Sequence, residues 1–224
     1  RARSVLVPSK LTIPLILVVA ALAGCAQTSG ISTMDDPHEA RNREIHEFNR
    51  QIDREILRPL ARAYGDSPPG PVMNAVGNFS DNLGLPKAIV NNVLQFNLDG
   101  AARNSMRLLI NSTFGIGGLV DFAGSAGLKE VKGDFGQTLH VWGFGEGDYV
   151  EVPFLGPSTE RDMVGKVVDY VIDPVNTLLP KPERYACTVT GALSRIGDRH
   201  RYSALVDSLL YDSEDSYAQA RLLY

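Results

Sequence analysis

Several short stretches of this 224-residue chain could carry chemistry. The run GFGEGD, residues 143–148, sets three glycines at alternate positions, and glycines there could let backbone N–H groups close round a phosphate. A dinucleotide fingerprint, however, needs G-x-G-x-x-G between a strand and a helix. Here the spacing is G-x-G-x-G, and the strand-like segment follows it. The glycines therefore predict a tight bend folding DFGQTLHVW back against DYVEVPF. AGSAG at 123–127 approximates a nucleophile elbow around Ser125, but Ala123 stands where G-x-S-x-G wants glycine and no strand leads into it. His38 and His46 each precede a glutamate, yet eight residues separate them, so H-E-x-x-H is absent. His140 and His200 have no sequence-local partner. No catalytic residue, no metal site and no cofactor is expected.

The two cysteines differ in context. Arg1, Arg3 and Lys10 precede an apolar-and-small run from Leu11 to Ala23, ending in Leu22-Ala23-Gly24-Cys25. Thirteen residues suit a signal-peptide core of about 7 to 15 and fall short of the roughly 20 needed to span a bilayer. Small residues directly before Cys25 fit a bacterial lipoprotein cleavage site, where the thiol is acylated; the alternative is an ordinary secretory signal ending near a cysteine. Residues 1–24 then form a cleaved lipoprotein signal peptide and 25–34 a lipidated tether. Residues 35–224 form one domain. Cys187 has no intrachain partner in this reading and is expected as a small helix residue. Removing residues 1–24 leaves 19 Lys and Arg against 26 Asp and Glu, so nucleic acid recedes as a partner.

The domain reads as mostly helical. Asp36, Pro37 and Glu39 predict a capped helix start, followed by a stripe of Ile45, Phe48, Ile52, Ile56 and Leu60 with Pro59 as a kink or stop. Two short helices, about 71–82 and 86–97, are expected on either side of NLGLP, then a third from Asp99 to Ile110. Between Gly115 and Gly156 stand eleven glycines, which predicts irregular backbone with at most one short β-hairpin, its strand at Tyr149–Pro153. Met163, Val164, Val167, Val168, Val171 and Ile172 share one face of a helix stopped at Asp173-Pro174. A long helix from about Pro182 to Tyr211 and a short one after a cap at Asp212-Ser213 complete the pattern.

NREIHEFNRQIDREILRPLARAY (42–64), NFSDNLGLPKAIVNNVLQ (78–95), NSTFGIGGLVDFAG (111–124) and DFGQTLHVWGFGEGDYVEVPFLGPSTERD (134–162) resemble the MlaA/VacJ family of outer-membrane lipoproteins, in that family's order. His140, where the family usually has glycine, and Glu151, at a usually apolar strand position, depart from the pattern. The resemblance implies a ring-like single domain of short amphipathic helices enclosing a polar channel. It implies lipid anchoring in the outer membrane of a Gram-negative bacterium, facing the periplasm, beside a trimeric porin. Such a protein removes phospholipid from the outer leaflet and passes it to a soluble periplasmic phospholipid-binding protein, which maintains lipid asymmetry. The alternatives are a structural lipoprotein that scaffolds porins, or a lipid hydrolase. Site residues under this reading are Cys25 for lipidation, with Asn49, Asn92, Asp121, Asp134 and Gln137 as candidates to line the channel. For Asp134 and Asn92 the local alternatives are a helix cap and a bond to neighbouring backbone.

Overall fold

A computed structural model describes residues 36–67 and 70–224; the signal peptide, Cys25 and the tether lie outside the described residues. Asp36–Tyr224 forms one compact, mostly α unit with a single two-stranded antiparallel hairpin among the described residues.

The first helix, α1 (Glu39–Ile52), begins three residues after Asp36. Asp36 does not cap it directly. Its carboxylate accepts from His38 N at 2.9 Å and its carbonyl from Glu39 N, so it holds the turn that leads in. Pro59 neither ends nor breaks the rod. A π-helical turn, Asp53–Leu57, precedes α2 (Arg58–Asp66), and Arg58 N reaches back five residues to Asp53 O. The wider turn makes room where Pro59 has no N–H to give.

The two short helices expected around NLGLP are one, α3 (Gly70–Leu94), which runs through Pro86. Leu85, Ala88, Asn91 and Asn92 are buried along it, it packs on α4 (Leu98–Thr113), and this packing outweighs the local cost of proline. Asn97 caps α4 by accepting from Gly100 N. The glycine-rich stretch is irregular apart from two short helices, α5 (Phe122–Ser125) and α6 (Phe135–Val141), capped by Asp121 and Asp134.

Strand β1 (Tyr149–Val152) pairs with β2 (Gly156–Thr159), in register Tyr149 with Thr159 and Val152 with Gly156. The GFGEGD bend therefore does not lay DFGQTLHVW on β1. Instead α6 packs on α7 (Glu160–Ile172) and α3. Gly143 and Gly147 have φ of 90° and 74°, which explains their type. The carbonyls of Glu146 and Asp148 accept from Arg161 N and Glu160 N. This loop thus caps α7 with its oxygens and leaves those helix N–H groups engaged.

After α8 (Pro174–Leu178), α9 (Lys181–Arg201) packs along α2 and α3. The long helix expected to reach Tyr211 is interrupted at Tyr202, then continues as α10 (Ser203–Asp207) and a π turn, Ser208–Asp212. Asp215, rather than Asp212-Ser213, caps the final helix, α11 (Ser216–Leu223), by accepting from Ala218 N at 3.0 Å.

Candidate functional site

The helices turn their polar faces inward. Among the described residues, fourteen polar or charged residues are buried and only nine apolar ones. On α1 the buried residues are Asn42 and His46, whereas Phe48 and, further along the rod, Ile56 and Leu60 are exposed. On α7 Asp169 is buried, while Val167 and Val171 face outward. The amphipathic stripes read from the sequence are present, but the medium on their apolar side is the outside of the protein. Exposed apolar residues also include Phe114, Leu178, Leu205 and Leu222. So extensive an apolar exterior is stable where it meets hydrocarbon or another protein, not water.

The interior is held by asparagines that imitate backbone. Asn42 accepts from Glu151 N and donates to Tyr149 O, both at 3.0 Å. One heptad on, Asn49 donates to Val152 O at 3.0 Å and accepts from Phe154 N at 2.7 Å. Helix α1 thereby supplies β1 with the pairing a third strand would give. Asn104 does the same for Val131, donating to its carbonyl and accepting from its N–H. Asn111 accepts from Ala123 N and donates to Asp121, and Arg107 binds both Asp121 oxygens at 3.1 Å and the Leu128 carbonyl. Asn82 donates to Gly117 O. The irregular glycine-rich backbone is thus satisfied by side chains from α3 and α4, the condition for such backbone to persist beside hydrocarbon.

Beneath α6, a chain of bonds runs from Asp169 to Asn91, Thr138 and Gln95, at 2.7, 2.9 and 3.0 Å. Phe135 N also donates to Asp169. Beyond it, charged groups of α3, α4, α9 and the glycine-rich segment come within electrostatic range of one another. Solvent reaches Asp81 and Glu130, but protein surrounds both. Burial pushes the Asp81 carboxyl up, assisted by Asp198 and Asp121, against the pull of Lys132 and Arg107. Burial likewise raises Glu130, assisted by the Asp81 charge, against the pull of Arg107 and Lys132. A carboxyl raised in the folded state opposes folding once ionised, and the penalty vanishes as protonation completes at low pH. Asp81→Asn and Glu130→Gln are therefore each expected to raise the thermal midpoint near pH 7 and to leave it unchanged near pH 3. Paired melting curves at the two pH values check this.

The sequence-derived candidates fall in separate places. Asn49 binds the hairpin, and Asp121 joins Arg107 to Asn111 while capping α5. Asp134 and Gln137 are exposed at the start of α6, with Gln137 N donating to the Asp134 cap at 2.8 Å. Asn92 is fully enclosed beside Gly100 and Gly133, and its amide has no hydrogen-bond partner. Sequence reasoning missed Asp81, Glu130, Asn104 and Arg107. A signal existed for the last two, because Asn104, Arg107 and Asn111 recur at helical spacing on α4 opposite its apolar face. Ser125 donates to Asp121 O, and the His140 ring lies 3.5 Å from Arg161.

Polar inside and apolar outside define a helical protein whose surface suits an apolar surrounding, hydrocarbon or another protein, and no helix among the described residues is long and apolar enough to cross a membrane. The chain belongs to the MlaA lipoprotein family, whose model matches residues 34–224. It is 36% identical over 212 residues to the intermembrane phospholipid transport system lipoprotein MlaA of Escherichia coli, covering 91% of this chain and 81% of that one. An uncharacterised protein of Rickettsia bellii is 34% identical over 199 residues, covering 88% and 77%. A solved structure described as the structural basis for maintenance of bacterial outer membrane lipid asymmetry superposes with a TM-score of 0.71 at 33% identity, covering 85% of this chain and 95% of that one.

Proposed function

We propose that this chain is the outer-membrane lipoprotein of an intermembrane phospholipid transport system, and that it removes phospholipid from the outer leaflet to maintain lipid asymmetry. The carrying observation is the inverted polarity: an apolar exterior around a core of buried asparagines and ion pairs. Acylated Cys25 would anchor the protein on the periplasmic side of the outer membrane, and the helices would lie within one leaflet as a ring.

Energetics favour such an arrangement. Carrying about 30 methylenes of two acyl chains through water, at about 0.8 kcal/mol each, would cost on the order of 20 kcal/mol. A polar passage inside an apolar body lets the headgroup move among charged and amide side chains while the tails stay in hydrocarbon. The solvent-exposed charges of Asp81, Glu130 and Lys132, within electrostatic range of Arg107 and Asp121, support a headgroup path there. Asp134 and Gln137, exposed beside them in sequence, are candidates for its rim. A trimeric porin would hold the protein in the membrane, and a soluble periplasmic phospholipid-binding protein would accept the lipid.

Deletion of the gene is expected to place phospholipid in the outer leaflet, and re-expression of the wild-type chain to clear it. Outer-leaflet labelling of phospholipid amines in intact cells measures this. An unchanged level would overturn transport and leave a scaffold; release of fatty acid by the purified protein would instead indicate a hydrolase.

A further inference from the structure

Three non-glycine residues among those described adopt positive φ, and all three are large and apolar: Phe96 at 57°, Ile116 at 54° and Phe154 at 65°. Each sits where the backbone favours glycine or asparagine. Phe96 occupies the left-handed position of a Schellman turn closing α3, with Asn97 N bonded to Asn92 O and Phe96 N to Val93 O. Ile116 lies between Gly115 and Gly117 just after α4, where Gly117 N reaches Ser112 O. Phe154 follows Pro153 in a four-residue turn closed by Leu155 N on Val152 O, at the position that type II turns give to glycine. A β-branched residue in this region is a genuine outlier, and aromatic residues there also carry strain.

Strain would be tolerated if these side chains packed in the interior, but they do not. Phe96 is 86% exposed, Ile116 71% and Phe154 70%. Each has an exposed apolar neighbour, Leu98, Phe114 and Leu155 respectively, and no charged residue stands within two positions of any of them. Phe154 makes one edge-on contact, with the ring of the exposed Phe48 at 5.2 Å. In water such a tip loses twice, once in the backbone and once in hydration. Only an apolar medium outside the protein reverses that balance. The chain outside the described residues points to which medium: the Cys25 thiol, where acylation would place it in a bilayer, is eleven residues from Asp36. That tether reaches at most about 40 Å.

We infer that Phe96, Ile116 and Phe154 are wedges that insert into the acyl-chain region of the bilayer and set how deeply the protein sits in its leaflet. The inference goes beyond the transport reading while resting on its membrane setting, and it names lipid hydrocarbon as the occupant of these tips. It distinguishes them from the broader apolar faces of α1 and α7, whose backbone is unstrained helix.

Full-length protein carrying Trp142→Phe, with Phe96→Trp, Ile116→Trp or Phe154→Trp added singly, is reconstituted in phosphatidylethanolamine–phosphatidylglycerol vesicles. Lipids brominated along the acyl chain are expected to quench each tip more than twofold, and aqueous iodide to quench little. Strong iodide quenching with weak bromolipid quenching would overturn the inference. In a second measurement, Phe96→Gly, Ile116→Gly and Phe154→Gly in a Cys25→Ser chain are expected to lower vesicle partition on the order of tenfold per tip, with the thermal midpoint in detergent unchanged or higher. A fall in midpoint with unchanged partition would show a packing role and also overturn it. Water-exposed tips in a protein that still clears the outer leaflet would remove the wedges alone. Lipid-quenched tips in a protein whose deletion leaves the outer leaflet unchanged would uphold the wedges and remove the transport reading.

Discussion

Arg199→Met is expected to destabilise the folded chain by about 3–5 kcal/mol, read as a lowered denaturant midpoint in detergent micelles. Arg199 on α9 forks onto Asp53 in the π turn after α1, at 2.7 and 2.8 Å, and reaches Asp207 of α10 at 2.6 Å. Asp207 is shared with Arg58 at 2.6 Å, and Tyr211 OH donates to Asp53 at 2.7 Å. Asp53 and the Arg199 side chain are nearly enclosed. Removing the guanidinium leaves Asp53 buried with one neutral donor, and that uncompensated charge dominates the cost. Adding Asp53→Leu to Arg199→Met is therefore expected to restore much of the loss, because the stranded charge disappears with its partner. A single-variant cost below about 1 kcal/mol would show that water already reaches the pair. Acid should weaken the same junction. Burial alone would raise Asp207, but its bonds to Arg199 and Arg58 outweigh it and hold the carboxyl below its ordinary value. Its contribution is thus complete above the ordinary carboxylate range and is lost as pH falls through the lowered value.

That junction was invisible in the sequence, since Asp53 and Arg199 are 146 residues apart. Local features were more legible. The strand at 149, the helix stop at Asp173-Pro174 and the left-handed glycines of GFGEGD follow from residue type, because proline, aspartate and glycine act on their immediate backbone. Helix continuity through Pro59 and Pro86 was not legible, because each depends on what packs alongside. Periodicity showed that Ile56 and Leu60, or Val167 and Val171, share a face. It could not say what medium that face meets, since a core-facing stripe and a lipid-facing stripe have the same 3.6-residue repeat. The polar faces held the discriminating signal. Asn42 with Asn49, and Asn104 with Asn111, are pairs of asparagines seven residues apart, a costly choice on a solvated helix and a useful one where irregular backbone must be satisfied. Of the candidate residues, Asn49 and Asp121 could be seen as polar positions in familiar blocks. Asp81 stands in such a block, 78–95, and Glu130 outside all four; the charges that act on both come from elements distant in sequence, which no local pattern shows.

Glu151→Leu is the sharper test of that polar interior, because the family resemblance makes an apolar residue the expected occupant of this strand position. Leucine should nevertheless cost about 2–4 kcal/mol here. The Glu151 side chain is wholly enclosed and takes three bonds, from His46 Nδ1 at 3.1 Å, Tyr149 OH at 2.9 Å and Asn49 Nδ2 at 3.4 Å. His46 in turn meets Ser216 at 2.9 Å, so the carboxylate joins α1, the hairpin and α11 at one point. Leucine strands those donors, whereas Glu151→Gln retains an acceptor and should cost about half as much. Pairing Glu151→Leu with His46→Leu is expected to recover stability, as apolar replacement of both partners removes the unpaired group. A separate readout avoids confusing lost packing with lost bonding. Burial, then the Glu151 charge and its hydrogen bond, push the Tyr149 phenol far above its usual value. Glu151→Leu should bring Tyr149 ionisation back toward that value, visible by ultraviolet titration, while Glu151→Gln should do so only in part. A Tyr149 titration unmoved by Glu151→Leu would show that the carboxylate does not organise this junction, whatever the variant does to stability.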